Sequence, residues 1–444
     1  MARAKKEAAL TPEERLQAAL VPDWEWPYKL PGNWCWTYLT KAAECLDNFR
    51  KPINATERAG RNGNVPYYGA TGQVGWIDDF LTDEDLVLLG EDGAPFLDLI
   101  KDKAYLITGK AWVNNHAHIL RSLFGDTGNR YLLHYLNSFN YAGYVNGTTR
   151  LKLTQASMDT IPIPLPPLAE QQRIVDRIES LFAKLDEAKE KAQAVVDSFE
   201  TRKAAILHKA FTGELTAKWR EEHGVRMESW EVRTLDSVCS SIFDGDHMPP
   251  PKAESGIPFL VISNVNTGHL TFENTRFVPQ EYYDTLSDTR KPQLGDVLYT
   301  LVGSFGIPVV VNSKRPFCFQ RHMALLRPID VSPQFLWYIL QTPEMYDKAS
   351  SIATGTAQLT VPIKGLRAMT IPRPNIAEQV EIVRILDGFF AREQSAKEAA
   401  EAVLDQIDLM KKSILARAFR GELGTNDPSE ESAVELLKRG LEKK

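Results

Sequence analysis

The chain has 444 residues, of which 43% are hydrophobic and 25% are charged, and its formal net charge is −6. This composition is typical of a globular protein with room for two to four domains, and no apolar stretch of about 18 residues predicts a membrane span. The acidic balance argues mildly against nucleic-acid binding but does not exclude it, because phosphate contacts need only a local basic surface.

The N-terminal residues predict an extension over residues 1–30 with one short helix. No apolar core follows the basic start, so we expect no secretory signal. The segment Thr11-Pro12-Glu13-Glu14 predicts a capping box with proline at the first helical position. The cysteines form no CxxC pair, which favours a reduced, cytoplasmic setting over a disulfide scaffold. The four cysteines are Cys35, Cys45, Cys239 and Cys318.

Two bodies made of short β-rich runs are predicted at residues 31–160 and 221–368. Turns rich in Gly, Asn and Pro separate the runs, and each body has a helical patch near its end. These patterns predict two α+β bodies. Because their sequences diverge while the segments that follow them are shared, we expect variable recognition loops on a fixed support.

The segment that follows the first body occurs twice in the chain. Residues 147–215 recur as residues 355–423 without a gap, so that Ala169-Glu170-Gln171 returns as Ala377-Glu378-Gln379, 208 residues later. A period of this length is too long for a solenoid repeat and indicates two copies of a whole module. We therefore expect a pseudo-two-fold arrangement.

Each copy predicts a long helix, within residues 161–220 and 369–424, that begins after a proline-rich lead and ends at a glycine. Apolar residues recur at alternating spacings of three and four, which is typical of a coiled-coil seam, with Arg202 and Glu393 as its polar interruptions. Two helices of about 45 residues, roughly 60 Å long, would expose long apolar stripes unless they pack together, and we expect antiparallel packing. The predicted seam residues are Ile174, Ile178, Leu181, Leu185, Val195, Phe199, Ile382, Leu386, Phe389, Val403, Ile407 and Ile414.

Residues 425–444 predict a short C-terminal helix or tail. This helix and the one near the N-terminus either pack against each other or are frayed ends, and the sequence leaves both alternatives open.

Catalytic motifs are missing from the sequence. The nearest match to a phosphate-binding loop, at Thr108-Gly109-Lys110-Ala111, lacks the first glycine and the hydroxyl after the lysine. We found no HExxH motif, no nucleophile elbow and no Asp/Asn-Pro-Pro-aromatic motif for amine methylation. The motif search therefore gives no support to a nucleotide-binding, zinc-protease, serine-hydrolase or amine-methylating enzyme.

Polar segments within the bodies are candidates for recognition. The pair His116 and His118 could chelate a metal, but no third ligand is evident nearby, so we expect no metal site. Side chains of these types also bind base edges and phosphates, although an ordinary turn role is favoured for any single residue. The candidates are Asn114, Asn115, His116 and His118 in the first body, and Ser263, Asn264, Asn266, Ser304, Gln320, Arg321 and His322 in the second.

The doubled pattern of variable body, proline-rich lead, Ala-Glu-Gln helix start and Ala-Phe-x-Gly-Glu-Leu helix end resembles the specificity subunit of type I restriction–modification systems. A departure is Gly424-Thr425-Asn426 after the second helix, where the first copy has Thr-Ala-Lys-Trp. The matching segments are residues 164–171 with 210–219, and residues 372–379 with 418–423.

The resemblance implies a non-catalytic subunit for phage defence. Two target recognition domains would read the halves of a bipartite, asymmetric DNA sequence, and the two helices would fix the spacer between them. The chain would scaffold two methyltransferase and two restriction/translocase subunits. It would need no cofactor of its own, since S-adenosylmethionine, ATP and Mg would belong to the partners. The rival interpretations are a single-chain fused enzyme, which the missing motifs oppose, and a coiled-coil adaptor without a DNA role.

Overall fold

The computed structural model describes residues 11–245 and 250–443. The first ten residues of the predicted N-terminal extension and Lys444 of the predicted tail lie outside these ranges. The chain divides into two compact units, residues 1–193 with 401–444 and residues 194–400. Each unit therefore contains one body and parts of both long helices. Within the described ranges, no helix has the length and apolar character needed to cross a membrane.

The secondary structure confirms the predicted alternation of β-rich bodies and long helices. The elements up to residue 223 are α1 Pro12–Ala19, β1 Cys35–Tyr38, α2 Leu39–Ala42, β2 Ala43–Cys45, α3 Ala55–Ala59, β3 Val65–Gly69, β4 Gly72–Ile77, β5 Thr82–Asp83, β6 Leu86–Gly90, β7 Ala104–Ile107, β8 Lys110–Val113, β9 Ala117–Ser122, α4 Gly125–Ser138, β10 Val145–Asn146, β11 Lys152–Leu153, α5 Gln155–Met158, β12 Pro162–Leu165, α6 Leu168–Asp197, α7 Phe199–Phe211 and α8 Ala217–His223.

The elements from residue 231 onwards begin in the same way as the first body, with a strand, a short helix and a second strand. They are β13 Glu231–Thr234, α9 Leu235–Val238, β14 Cys239–Asp244, β15 Ile257–Leu260, β16 Arg276–Val278, α10 Gln280–Thr285, β17 Val297–Thr300, β18 Pro308–Val310, β19 Cys318–Phe319, β20 Met323–Pro328, α11 Pro333–Leu340, α12 Pro343–Ile352, α13 Ile363–Ala368, β21 Thr370–Arg373, α14 Ile376–Phe419 and α15 Ala433–Glu442.

The two bodies share much of their topology although their sequences diverge. Each has a four-stranded antiparallel sheet, in the order β2-β9-β6-β7 in the first and β14-β20-β17-β18 in the second. Each also has a second sheet with one parallel pair, which is β3 with β8 in a four-stranded sheet of the first body and β15 with β19 in a three-stranded sheet of the second. The first and last strands of each body pair with each other, as β1 with β12 and β13 with β21. A common frame therefore carries two different sets of loops.

Both long helices contribute to the core of each unit. In the first unit, Ile174 and Ile178 of α6 are buried with Phe419 of α14, whose ring contacts Tyr131 and Tyr135 edge-on at 5.3 and 5.1 Å between centroids. In the second unit, Leu207 and Ala210 of α7 are buried with Ile382 and Leu386 of α14, among residues of the body. Burial of these apolar side chains fixes each body on its helices.

The helices run antiparallel within each unit, as predicted. In the first unit Lys189 pairs with Asp408 at 3.2 Å and Asp186 with Lys411 at 2.5 Å, so the numbering rises on one helix as it falls on the other. In the second unit Arg202 pairs with Glu393 at 2.7 Å. The two polar residues that interrupt the predicted seam are therefore partners. The first long helix breaks at Ser198, whereas α14 is continuous.

The predicted seam is correct at most positions and wrong at Val403. Ile174, Ile178, Ile382, Leu386 and Ile407 are buried, but Val403 is 41% exposed. The half-buried seam residues are Leu181, Leu185, Val195, Phe199, Phe389 and Ile414. A straight helix of 3.6 residues per turn does not keep a strict heptad on one face, and here Leu404 is half-buried where the heptad had placed Val403.

The two terminal helices pack against each other in the first unit. Thr11 and Glu14 form the predicted capping box at the start of α1. Ala19 of α1 is buried with Leu437 of α15, and Lys438 pairs with Glu13 at 3.2 Å. Of the two alternatives for the terminal helices, packing against each other is therefore correct and fraying is not.

The repeated Ala-Glu-Gln and Gly-Glu-Leu motifs form a buried ionic joint in the second unit. Glu378 begins α14, and its side chain is 0% exposed. Its carboxylate accepts hydrogen bonds from Thr216 Oγ1 at 2.7 Å, Arg220 Nη1 at 2.6 Å and Trp230 Nε1 at 2.9 Å. Arg220 also donates from Nη2 to the carbonyl of Gly213, the glycine that ends the first long helix. The joint therefore ties the start of one long helix to the end of the other.

The first unit contains the corresponding joint with a different arginine. Glu170, at the start of α6, accepts hydrogen bonds from Thr425 Oγ1 at 2.7 Å and from Arg173 Nη2 at 2.8 Å. Arg173 also pairs with Glu430 at 2.8 Å. Burial raises the pKa of Glu170 despite the hydrogen bonds from Thr425 and Arg173. The departure from the motif after the second helix is thus accommodated by Thr425 in place of Thr216 and Arg173 in place of Arg220.

Candidate nucleic-acid interface

Three loops of the first body meet where strands of its two sheets end. We call residues 90–93, 114–116 and 147–152 loop cluster 1. The backbone N–H of Glu91 donates to the carbonyl of His116 at 2.8 Å, and that of Gly93 donates to the carbonyl of Leu151 at 3.0 Å. These bonds hold two loops of the variable body against the first residues of the repeated segment.

The second body builds the same arrangement from other residues. We call residues 301–304, 320–322 and 355–360 loop cluster 2. The N–H of Leu301 donates to the carbonyl of His322 at 2.8 Å, and that of Gly303 donates to the carbonyl of Leu359 at 3.0 Å. His116 and His322 therefore occupy equivalent positions, although the two bodies differ in sequence between their strands.

A glycine turn opens the repeated segment in both clusters. Gly147 and Gly355 have φ values of +106° and +111°. A Cβ atom there would lie 2.4 Å from the carbonyl oxygen of Arg150 and 2.5 Å from that of Gln358. Only glycine fits this turn without strain. Arg150 and Gln358 therefore follow turns of the same backbone conformation in the two copies.

The structure separates the candidate residues of the first body into two groups. Asn115 is exposed and His116 is half-exposed in loop cluster 1. Asn114 is 7% exposed, and its Oδ1 accepts a hydrogen bond from the N–H of His116 at 2.8 Å. His118 is 1% exposed. The prediction of a base-reading role is wrong for Asn114 and His118, because both side chains are buried and hydrogen-bonded to groups within the body.

His118 is the centre of a buried charged network in the first unit. Its Nδ1 lies 2.6 Å from Asp47 Oδ2, and its Nε2 lies 3.0 Å from the carbonyl oxygen of Leu153. A carbonyl only accepts, so Nε2 carries a proton and donates it. Burial alone would raise the pKa values of Asp47 and Glu91, but hydrogen bonds from His118 to Asp47 and from Arg50 to Glu91 outweigh it and lower both.

We expect His118→Ala to destabilise the first unit by about 2–4 kcal/mol at neutral pH, because it leaves buried acceptors without their donor. The two lowered carboxyl pKa values mean that the network stabilises the fold above about pH 4.5 and loses this contribution as the pH falls through the lower folded values. Urea unfolding over a pH series that starts at pH 7 and continues below about pH 3.9, the ordinary Asp value, should show a free-energy gap between wild type and variant that narrows in acid. His116→Ala is the matched control and should change stability little. An equal loss for both variants would contradict this account.

One cluster of metal-ligating types occurs among the described residues. Ligand atoms of Cys45, Asp47 and His118 lie within 4.8 Å of one another. Both ring nitrogens of His118 are already hydrogen-bonded, and burial raises the pKa of the Cys45 thiol to about 12. A thiol at that pKa is not the thiolate that binds metals. These residues fit a hydrogen-bonded core better than a metal centre, and the absence of a metal site stays a prediction.

Most candidates of the second body lie at the surface. Gln320 and His322 are half-buried in loop cluster 2, and the exposed candidates are Ser263, Asn266, Ser304 and Arg321. Asn264 is 4% exposed, its Oδ1 accepts from the N–H of Val261 at 3.0 Å, and its Nδ2 donates to the carbonyl of Glu273 at 3.0 Å. The prediction is wrong for Asn264, whose amide closes a turn.

A cavity of about 450 Å³ adjoins loop cluster 2. Its lining includes Arg321 and His322 together with Gln358 and Thr360 of the repeated segment, and Asp244 at the end of β14. Burial and the neighbouring Arg321 charge lower the pKa of His322. A neutral imidazole offers one donor and one acceptor, so this concave surface can match a mixed hydrogen-bonding partner.

Two residues of the clusters were missed by the sequence argument. Arg150 is exposed, and its Nη2 donates to Asp92 Oδ1 at 2.6 Å, an atom that also lies 2.8 Å from His116 Nδ1. Its counterpart Gln358 lines the cavity of loop cluster 2. The sequence did contain a signal for these two residues. The repeat keeps Gly-Thr shortly before them and Leu directly after them, but Arg150 of the first copy is replaced by Gln358 in the second.

The chain matches the family model described as the type I restriction modification DNA specificity domain over residues 46–196 and 227–404. The chain belongs to this family. Each matched segment covers most of one body and the long helix that follows it, which confirms the predicted doubled architecture.

Curated relatives of this specificity family include the type I restriction enzyme EcoKI specificity subunit of Escherichia coli strain K12, which is 27% identical over 311 residues. That alignment covers 66% of this chain but only 65% of the relative, slightly less than two thirds of its length. A putative type I restriction enzyme specificity subunit of Haemophilus influenzae is 26% identical over 373 residues, covering 83% of this chain and 90% of the relative.

Solved structures of the specificity family show the same fold. The HsdS subunit from Thermoanaerobacter tengcongensis has a TM-score of 0.58 at 21% identity and covers 90% of this chain and 100% of its own. A chain from a study of complex assembly and conformational transition of the type I R-M system has a TM-score of 0.65 at 21% identity, covering 89% and 100%. The specificity-family fold therefore provides the frame on which loop clusters 1 and 2 differ.

Basic side chains in and beside the β4-β3-β8-β5 sheet of the first body add a surface that the sequence argument also missed. Arg61 lies 4.7 Å and Lys51 5.7 Å from the ring centroid of Trp112, and Lys110 lies 4.5 Å from that of Phe80. Such cation–aromatic packing holds long basic side chains in place. Arg61 also pairs with Asp78 at 2.5 Å, so Lys51 and Lys110 are the candidates for phosphate contacts in a DNA specificity domain.

Proposed function

We propose that the chain is the DNA-recognition subunit of a type I restriction–modification complex. Each body acts as a target recognition domain that reads one half of a bipartite, asymmetric sequence, and the long helices set the unread spacer. The observation that carries the proposal is the equivalence of loop clusters 1 and 2 in a chain of the specificity family: the same backbone bonds present different polar side chains.

The chemistry of the two clusters supports direct reading of bases. Their exposed or half-exposed side chains include Asn115, His116 and Arg150 in the first and Arg321 and Gln358 in the second. Arg, Asn and Gln form the hydrogen-bond pairs that distinguish bases in the major groove. Phosphate contacts would position the protein, and base contacts would specify the sequence.

We further propose a division of labour in which this chain has no catalytic site of its own. It would scaffold two methyltransferase subunits and two restriction/translocase subunits in the cytoplasm. S-adenosylmethionine, ATP and Mg²⁺ would be bound by these partners. The resemblance of the doubled helix motifs to those of specificity subunits supports this assignment, and it gives the helices a second role as docking surfaces.

A methyl-transfer assay tests the proposal. The purified chain, given DNA and labelled S-adenosylmethionine, should incorporate no methyl groups, whereas the same chain mixed with its cognate methyltransferase should methylate DNA at defined sites. The methyltransferase without the chain is the control and should lose site specificity. Methyl transfer by the chain alone would contradict the non-catalytic assignment.

A further inference from the structure

The repeated segment changes its residue type at several positions within the two loop clusters, and one of these positions carries a long polar side chain that is exposed in both copies. Gly147 and Thr148 return as Gly355 and Thr356, and Leu151 returns as Leu359, but Arg150 returns as Gln358. We propose that Arg150 and Gln358 are equivalent base-reading residues, one in each body. This inference rests on the proposed function and assigns residues of the repeated segment, as well as of the variable bodies, to sequence reading.

Arg150 is held in a position suited to reading a base. Its side chain is 60% exposed. The guanidinium of Arg150 packs close to Gly93: a Cβ atom at that position would lie only 3.1 Å from Arg150 Nε. The carboxylate of Asp92 binds Nη2 and is itself shared with His116. Because this contact uses one of five N–H donors, the guanidinium retains donors for a bidentate contact.

Gln358 occupies the same backbone position with other neighbours. Its Nε2 lies 3.0 Å from where a Cβ atom of Gly303 would be, so both glycines leave room for the reading side chain. Both also have left-handed backbones, with φ of +72° for Gly93 and +71° for Gly303. The backbones of Val302 and Thr360 form an antiparallel β-bridge, and those of Asp92 and Lys152 form the equivalent bridge in the first unit. Val302 therefore occupies the position that Asp92 occupies in the first unit, and no carboxylate is present there. The amide of Gln358 instead faces the cavity lined by Arg321 and His322.

The two side chains differ in the base that each recognises. Arginine binds O6 and N7 of guanine, and glutamine binds N6 and N7 of adenine. The half-site read by the first body should therefore contain a guanine at the contacted position, and the half-site read by the second body an adenine. Each contact should discriminate against the wrong base by about 10-fold or more.

The test uses the full chain in complex with its cognate methyltransferase and a randomised DNA library, with bound sequences counted. Arg150→Gln should weaken or switch the preference at one position of the first half-site and leave the second half-site and the spacer unchanged. Gln358→Arg should weaken or switch the preference at one position of the second half-site and leave the first half-site and the spacer unchanged. Arg130→Gln is the matched control, because Arg130 is an exposed arginine of the same unit that is paired to Glu179. It should retain the wild-type motif.

Each outcome decides the inference. Wild-type motifs for both variants would overturn it, and so would uniformly weaker binding with a salt slope smaller by about one, which is the signature of a phosphate contact. If Arg150→Gln fails to fold, Gln358→Arg in the other unit carries the test. A wild-type complex that selects no bipartite motif would refute the proposed function itself, whereas a bipartite motif that neither variant alters would refute only this inference.

Discussion

Glu378→Ala is expected to destabilise the second unit by about 3–5 kcal/mol, the typical cost of removing one partner from a buried ion pair. The carboxylate of Glu378 holds Thr216, Arg220 and Trp230 at the joint between the two long helices. The side chain of Arg220 is only 10% exposed, so the variant would leave a guanidinium charge without its counter-ion and away from water. Amide hydrogen exchange resolved by residue would report the loss in the second unit.

Two further variants separate charge burial from packing. Glu381→Ala makes the same substitution one turn further along α14, where Glu381 pairs with the exposed Arg384, and it should leave the protection factors within error. The double variant Glu378→Leu/Arg220→Met replaces the buried pair by apolar groups and should recover most of the stability. A double variant as unstable as Glu378→Ala would show that shape and hydrogen bonds, rather than the unpaired charge, dominate the joint.

The fold was largely predictable because its strongest signals are local or repeated. The offset of 208 residues marks two modules, and the spacing of Ile174, Ile178, Ile382 and Leu386 marks helices with a buried face. Proline-rich leads and terminal glycines gave the helix limits to within a few residues. The common topology of the bodies was not predictable, since sheet order depends on contacts distant in sequence that leave no shared pattern in diverged strands.

The candidate site was predictable as loops but not as individual side chains. Asn115 and Arg321 lie at the surface of equivalent loops, but their neighbours Asn114 and His118 are buried as structural hydrogen-bond partners. Residue type does not distinguish these roles, because the amides and imidazoles that read bases also satisfy buried backbone groups. The predicted burial of Val403 was wrong for a related reason, because a heptad pattern fixes the buried face of a helix only approximately over several turns.

Lengthening both long helices is expected to lengthen the unread spacer between the two half-sites. The units divide at residues 193/194 and 400/401, so inserting four residues at both points lengthens both long helices while leaving the contacts within each unit intact. Each insertion adds about one helical turn, or about 6 Å. If the helices set the distance between two readers, the unread gap should grow by roughly one or two base pairs at about 3.4 Å each, with both half-sites unchanged.

The most direct test of the account is single-molecule sequencing of modified bases in cells that express the cognate methyltransferase with either the original chain or the double-insertion chain. We expect one bipartite, asymmetric motif for the original chain and the same two half-sites with a longer gap for the insertion chain. A continuous or palindromic motif for the original chain, or altered half-sites with an unchanged gap for the insertion chain, would contradict it.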